Sequence, residues 1–214
     1  MNNSRNILAQ APVVPVLAIE DLEHAIPLAQ ALVAGGIPVL EVTLRTPAGL
    51  PAIKAISEAV PEAIVGAGTV VNAGDFDAAL KAGSRFVVTP GLTQGILDAA
   101  ADSDVPLIPG VATVSELMRA LDYGIDCLKF FPAEASGGAA ALKAFAGPFP
   151  KVDFCPTGGI GLHNINDYLA LKSVVTVGGS WLTPGAMLAA QDWDGIKSLA
   201  SAAVEHVAGF RAGQ

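Results

Sequence analysis

The sequence predicts an α/β protein built as a parallel (β/α)8 barrel. Three observations lead there. Short apolar, β-branched stretches alternate with Ala- and Leu-rich stretches along the whole chain. The apolar stretches begin near Val13, Val39, Ile64, Arg85, Pro106, Cys127, Val152 and Val174, each 21 to 26 residues after the last. No Pro-, Gly- or Ser-rich linker interrupts the pattern. Eight strand–helix units of even length without a composition break suit one domain over residues 1–214, a compact TIM barrel.

Taken in order, a short leader at residues 3–10 has the composition of a helix. Helical segments are then expected at residues 22–34, 48–60, 73–82, 93–102, 115–123, 139–146, 162–171 and 194–207, one after each strand. A doubly wound open sheet is the structural alternative. It would carry a Gly-rich fingerprint after the first strand, and Leu17-Ala18-Ile19-Glu20-Asp21 is not one.

Composition removes several classes of function. Hydrophobic residues make up 52% and charged residues 15% of the 214, the opposite of a disordered chain. A net charge of -8 and dispersed basic residues argue against a nucleic-acid partner. No apolar run is long enough to span a bilayer. The stretch from Ala11 to Ile19 is broken by Pro12 and Pro15 and closed by Glu20 and Asp21, so it does not read as a signal peptide. Cys127 and Cys155 fall in expected strands without metal-site spacing, as two buried thiols would in a reducing cytoplasm. His24, His163 and His206 are too scattered for a three-histidine metal site, so no metal is expected.

In such a barrel the chemistry sits at the C-terminal ends of the strands. The sixth strand reads Cys127-Leu128-Lys129-Phe130-Phe131, and of the seven lysines only Lys129 has large apolar neighbours on both sides. Burial disfavours an ammonium, which is how a lysine becomes a nucleophile. In the second strand, alternation turns Leu40, Val42 and Leu44 towards the helices and Glu41, Thr43 and Arg45 into the barrel. Charges there must pair or bind something; a mutual Glu41–Arg45 ion pair is the competing structural reading. The third strand ends Gly66-Ala67-Gly68-Thr69, where small residues admit a ligand and Thr69 offers a hydroxyl. The fourth ends Thr89-Pro90-Gly91, a turn. Thr157-Gly158-Gly159 and Gly178-Gly179-Ser180 close the seventh and eighth, where barrels commonly hold phosphate on backbone N–H groups.

These residues suit Schiff-base chemistry. An amine attacks a ketone, the resulting iminium accepts electrons as a neighbouring C–C bond breaks, and Glu41 is the candidate general base. Arg45 could hold a carboxylate through paired hydrogen bonds, with phosphate at Gly158, Gly159, Gly179 and Ser180. A keto acid phosphorylated at its far end fits that layout. Two other readings use the same residues: a phosphosugar isomerase or epimerase with Glu41 as base, and a non-catalytic phosphosugar-binding barrel in which Lys129 only pairs with Glu41.

In order along the chain, the stretches from Glu41 to Thr46, Gly66 to Thr69, Lys129 to Ala133, Thr157 to Gly159 and Gly178 to Ser180 resemble the 2-keto-3-deoxy-6-phosphogluconate/4-hydroxy-2-oxoglutarate (KDPG/KHG) aldolases. The resemblance implies a cofactor-free class I aldolase that cleaves 2-dehydro-3-deoxy-6-phosphogluconate to pyruvate and glyceraldehyde 3-phosphate, with 4-hydroxy-2-oxoglutarate as a further substrate. By it Lys129 forms the imine, Glu41 shuttles protons, Arg45 and Thr69 hold the carboxylate end, and Pro90 and Phe131 wall the site. Thr157, Gly158, Gly159, Gly179 and Ser180 then serve the phosphorylated end. It also implies a homotrimer. Thr157 resembles the gluconate-type members, whereas galactonate-type relatives tend to carry an apolar residue there. One departure is Val114, where the family often has proline.

Overall fold

In the computed structural model residues 4–213 are described; residues 1–3 and 214, the ends of the expected domain and the first residue of the leader, lie outside them. The described strands are β1 (Val13–Leu17), β2 (Val39–Thr43), β3 (Ile64–Gly68), β4 (Val87–Val88), β5 (Leu107–Ile108), β6 (Gly110–Val111), β7 (Cys127–Phe130), β8 (Asp153–Pro156) and β9 (Val177–Gly179). The helices are α1 (Ser4–Leu8), α2 (Ala25–Ala34), α3 (Gly49–Ala59), α4 (Ala73–Lys81), α5 (Gln94–Ala101), α6 (Val114–Asp122), α7 (Gly138–Phe145), α8 (Ile165–Leu169), α9 (Gly185–Ala189) and α10 (Trp193–Ala212).

The fold is α/β with parallel strands throughout. One sheet runs β5-β4-β3-β2-β1-β9, a second β6-β7-β8. The expected eight unbroken strands therefore need correction at the fifth. Pro109 divides it into β5 and β6, because proline has no N–H to give a ladder. Its carbonyl still accepts from the Lys129 N–H at 2.9 Å, so the strand continues in direction though not in pairing. Between β8 and β9 the ladder thins to two isolated pairings, Phe154 with Val174 and Thr157 with Gly178. The expected helix at 162–171 shortens to α8, and α9 was not anticipated, its Pro184-Gly185 start reading as a turn.

Burial explains why these strands form. Every residue of β2, β3 and β7 is buried, and Leu40, Val42, Leu128 and Phe130 are inaccessible to solvent. Parallel strands covered on both faces lose their polar alternation, and any charge left among them stands out. At the strands' N-terminal ends, α1 buries Ile7 and Leu8, and Arg5 Nε donates to Asp153 at 2.5 Å.

Side-chain caps set several helix starts. Asn72, Thr93 and Thr113 accept from backbone N–H groups of α4, α5 and α6. At α6 the cap is reciprocal: the Glu116 carboxylate accepts from the N–H groups of Ala112 and Thr113 and from the Thr113 hydroxyl, each at 2.9 Å. This capping box sets the helix start at Val114. Partial burial pushes the Glu116 carboxyl up, but the three hydrogen bonds together outweigh it and hold the group below its ordinary value near 4.5. A depressed carboxyl contributes stability that is complete above its unfolded value and is lost as pH falls through its folded one. Thr113→Ala is therefore expected to cost about 1 kcal/mol at pH 7 and less at pH 3, by urea denaturation at both pH values.

Candidate active site

The C-terminal ends of β2 and β7 bring the two buried charges of the interior together. Lys129 Nζ lies 3.2 Å from Glu41 Oε1, with the residues only 6% and 3% exposed. The pairing comes from distant parts of the chain, and it replaces the Glu41–Arg45 pair that the second strand suggested. Arg45 is not in the interior. β2 ends at Thr43, so the strand alternation stops before Arg45, which stands exposed at the rim. There its Nε donates to Thr43 Oγ1 at 3.2 Å, and that hydroxyl donates to the Leu17 carbonyl at 2.9 Å. Held this way, and without a carboxylate partner among the described residues, the guanidinium is available to an anion at the mouth.

Neighbouring backbone shapes the pair. A Cβ added at Gly68 would lie 2.3 Å from Glu41 Oε1 and 2.6 Å from its Cγ, so the carboxylate rests on bare backbone. The next residue, Thr69, has φ 59°, a left-handed conformation that a β-branched residue adopts only at a cost. On the other side, the Phe131 ring centroid is 5.0 Å from Lys129 Nζ, within cation–π range. Phe131 follows the last residue of β7, so its ring meets the lysine from beyond the strand's C-terminal end. Pro90 is an exposed turn residue whose carbonyl presses on Gly110, the residue opposite Lys129 in the β6–β7 ladder.

The residues expected at a phosphate converge from β8 and β9. Thr157 is buried and its hydroxyl occupies the space a Cβ on Gly178 would take, 2.2 Å away. Gly158 and Gly159 adopt φ of 105° and 77°, open only to glycine at low cost. Ser180 is exposed at the rim. Among the described residues, no backbone acceptor takes up the N–H groups of Gly159 and Ser180.

Two neighbours were not anticipated. Trp181 covers Gly179 so closely that a Cβ there would lie 1.7 Å from the ring; its position directly after Gly-Gly-Ser was the only available signal. Cys155 lies opposite Lys129 in the β7–β8 ladder, a register the sequence does not reveal. Burial first, then the charge of Glu41, pushes its thiol up to about 12, with Lys129 opposing weakly, so it stays protonated at neutral pH. Among the described residues no three His, Cys, Asp or Glu side chains gather at a metal-binding distance. Nor is any helix among them long and apolar enough to cross a membrane.

With this geometry in view, comparison with known proteins is decisive. The KDPG and KHG aldolase family model matches residues 4–199. The chain belongs to that family. It is 57% identical over 203 residues, 95% of both chains, to the KHG/KDPG aldolase of Escherichia coli strain K12. It is 56% identical over 202 residues to the 2-dehydro-3-deoxy-phosphogluconate aldolase of Dickeya dadantii, covering 94% of this chain and 95% of that one. The KDPG aldolase of Legionella pneumophila, captured with pyruvate as a covalent carbinolamine, superposes with a TM-score of 0.91 at 49% identity over 93% and 97% of the two chains.

In this aldolase-family chain the buried pair is sensitive to the loss of either member. Removing one member strands the other's charge, which typically costs about 3–5 kcal/mol, whereas removing both is far cheaper. Lys129→Met should therefore cost about 3 kcal/mol, and adding Glu41→Gln should restore most of it, in a double-mutant cycle of urea unfolding.

Proposed function

We propose that the chain is a class I aldolase that cleaves 2-dehydro-3-deoxy-6-phosphogluconate to pyruvate and glyceraldehyde 3-phosphate, and 4-hydroxy-2-oxoglutarate to pyruvate and glyoxylate. The observation that carries this reading is the 3.2 Å contact between Lys129 and Glu41, the two charged side chains buried among the described residues. The carbinolamine captured in the Legionella relative supports the same chemistry.

The ammonium of Lys129 passes a proton to Glu41, and the free amine attacks the C2 ketone. Glu41 returns that proton to the C2 oxygen and then relays a second one to it from the attached nitrogen, so that the oxygen leaves as water and a protonated imine and the Glu41 carboxylate remain. The Glu41 carboxylate takes the C4 hydroxyl proton, the C4 oxygen becomes the aldehyde carbonyl, and the C3–C4 bond breaks with its electron pair moving into the imine to form an enamine, to which Glu41 later returns the proton. Glyceraldehyde 3-phosphate departs, the enamine takes a proton at C3, and hydrolysis releases pyruvate and the lysine. Arg45 and Thr69 hold the substrate carboxylate, Pro90 and Phe131 wall the reacting carbons, and Thr157, Gly158, Gly159, Gly179 and Ser180 bind the phosphate. Thr157 and the identity to gluconate-type relatives favour the gluconate over the galactonate substrate.

The two parallel sheets are proposed to close into one (β/α)8 barrel and one domain over residues 1–214; the pairings of β8 with the β9 segment and the continuity of β5 into β6 support this. A cytoplasmic homotrimer is the assembly the family resemblance favours.

Incubation with pyruvate followed by borohydride should leave a stable adduct on Lys129, found by peptide mass mapping. A folded protein saturated with pyruvate that shows no adduct refutes the imine mechanism and brings the isomerase reading forward. Gly68→Ala pushes the Glu41 carboxylate from its seat, and a misplacement of that size is expected to lower turnover about 100-fold with the fold intact, by steady-state cleavage and circular dichroism.

A further inference from the structure

We propose that Tyr168 and Glu134 form a positioning clamp that seats the phosphate-binding glycine loop on the segment carrying the imine lysine. The inference rests on the aldolase reading above and concerns how its two substrate ends are held at a fixed separation.

Five residues after Lys129, Glu134 lies in a short 3-10 turn, Glu134–Ser136. Its stem fills the place beside Gly159 where a side chain would go: a Cβ there would lie 2.6 Å from Glu134 Cγ and 2.8 Å from its Cβ. Two backbone bonds join the same segments, from Ala133 N to the Thr157 carbonyl at 2.8 Å and from Glu134 N to the Gly158 carbonyl at 3.1 Å. Gly158 meanwhile packs on Pro132 and Ala133. The residues from Lys129 to Glu134 thus act as a ruler, with the amine at one end and the glycine loop on the other.

Tyr168 holds the far side of this ruler. It lies on α8, is only 1% exposed, and donates from its phenol to Glu134 Oε1. Burial, then the hydrogen bond and charge of Glu134, push that phenol well above its ordinary range, so it stays a donor. The bond ties a surface carboxylate to a buried phenol and fixes its stem against Gly159. It also directs the negative charge to Tyr168 and not to an anion at the loop. Asn164 braces the loop's other side, donating to the Gly159 carbonyl at 3.1 Å and accepting from Gly161 N at 2.9 Å.

Tyr168→Phe removes the donor and keeps the ring. For 2-dehydro-3-deoxy-6-phosphogluconate, KM should rise about tenfold with kcat within about twofold, because the lost contact serves binding and not the chemical step. Borohydride trapping of pyruvate on Lys129, which needs no phosphate site, should be unchanged, and inorganic phosphate should bind about tenfold more weakly by calorimetry. Glu134→Ala should reproduce these changes, and Glu134→Gln, which keeps stem and acceptor, should not. Glu134 is surface-exposed, so this pair reports even where the tyrosine variant fails to fold. Equal loss in phosphate-dependent and pyruvate-only measurements would make the contact a general structural one and overturn the clamp, as would no change in either. Wild-type protein that binds phosphate but forms no pyruvate adduct would refute the aldolase reading, and the phosphate titrations of the variants would still decide the clamp.

Discussion

Lys129 and Glu41 are two opposite charges taken out of water and set 3.2 Å apart. Desolvating each ion costs several kcal/mol, and their attraction repays this only where the geometry is good. An apolar pair of similar volume would serve the fold as well. Their placement therefore makes most sense as chemistry, and much of the surrounding sequence follows from keeping it in place. Gly68 must lack a side chain because the carboxylate lies where one would be. Phe131 must be aromatic to face an ammonium, and the β7 ladder must hold its register to deliver the lysine to β2's carboxylate.

The same economy of space recurs at the other strand ends. Gly110 admits the Pro90 carbonyl, Gly178 the Thr157 hydroxyl, Gly179 the Trp181 ring and Gly159 the Glu134 stem. At each, one residue's missing side chain is a neighbour's seat. Thr69 is the exception, a β-branched residue in a left-handed conformation. Strain of this kind persists where surrounding structure over-determines it, and the role proposed for the Thr69 hydroxyl at a substrate carboxylate would give it a purpose.

Much of this was legible in the sequence, for physical reasons that also mark the limits. A strand's period of two is strict, so Glu41 and Thr43 could be turned inward from alternation alone. The rule fails one step later because β2 stops at Thr43, and Arg45 answers to a turn. A lysine between aromatic and apolar neighbours announces burial, yet its partner comes from 88 residues away and no local pattern names it. Pro109 sat in plain view, and its effect on the fifth strand follows from a missing N–H. Cys155 and Tyr168 were invisible as neighbours of the site because register and helix docking are tertiary properties.

Stability and chemistry are also placed at opposite ends of the strands. Around the N-terminal ends, α1 buries Ile7 and Leu8 and ties Arg5 to Asp153. Around the C-terminal ends lie the buried charges, the left-handed threonine and the loops with exposed N–H groups, each costly on its own. Parallel strands make this division possible, since every strand delivers its end to the same face while its apolar middle is shared. The costly features can then be concentrated on one face and offset by the core beneath, so a change at the mouth such as Ser180 or Arg45 falls on an exposed side chain and not on the core.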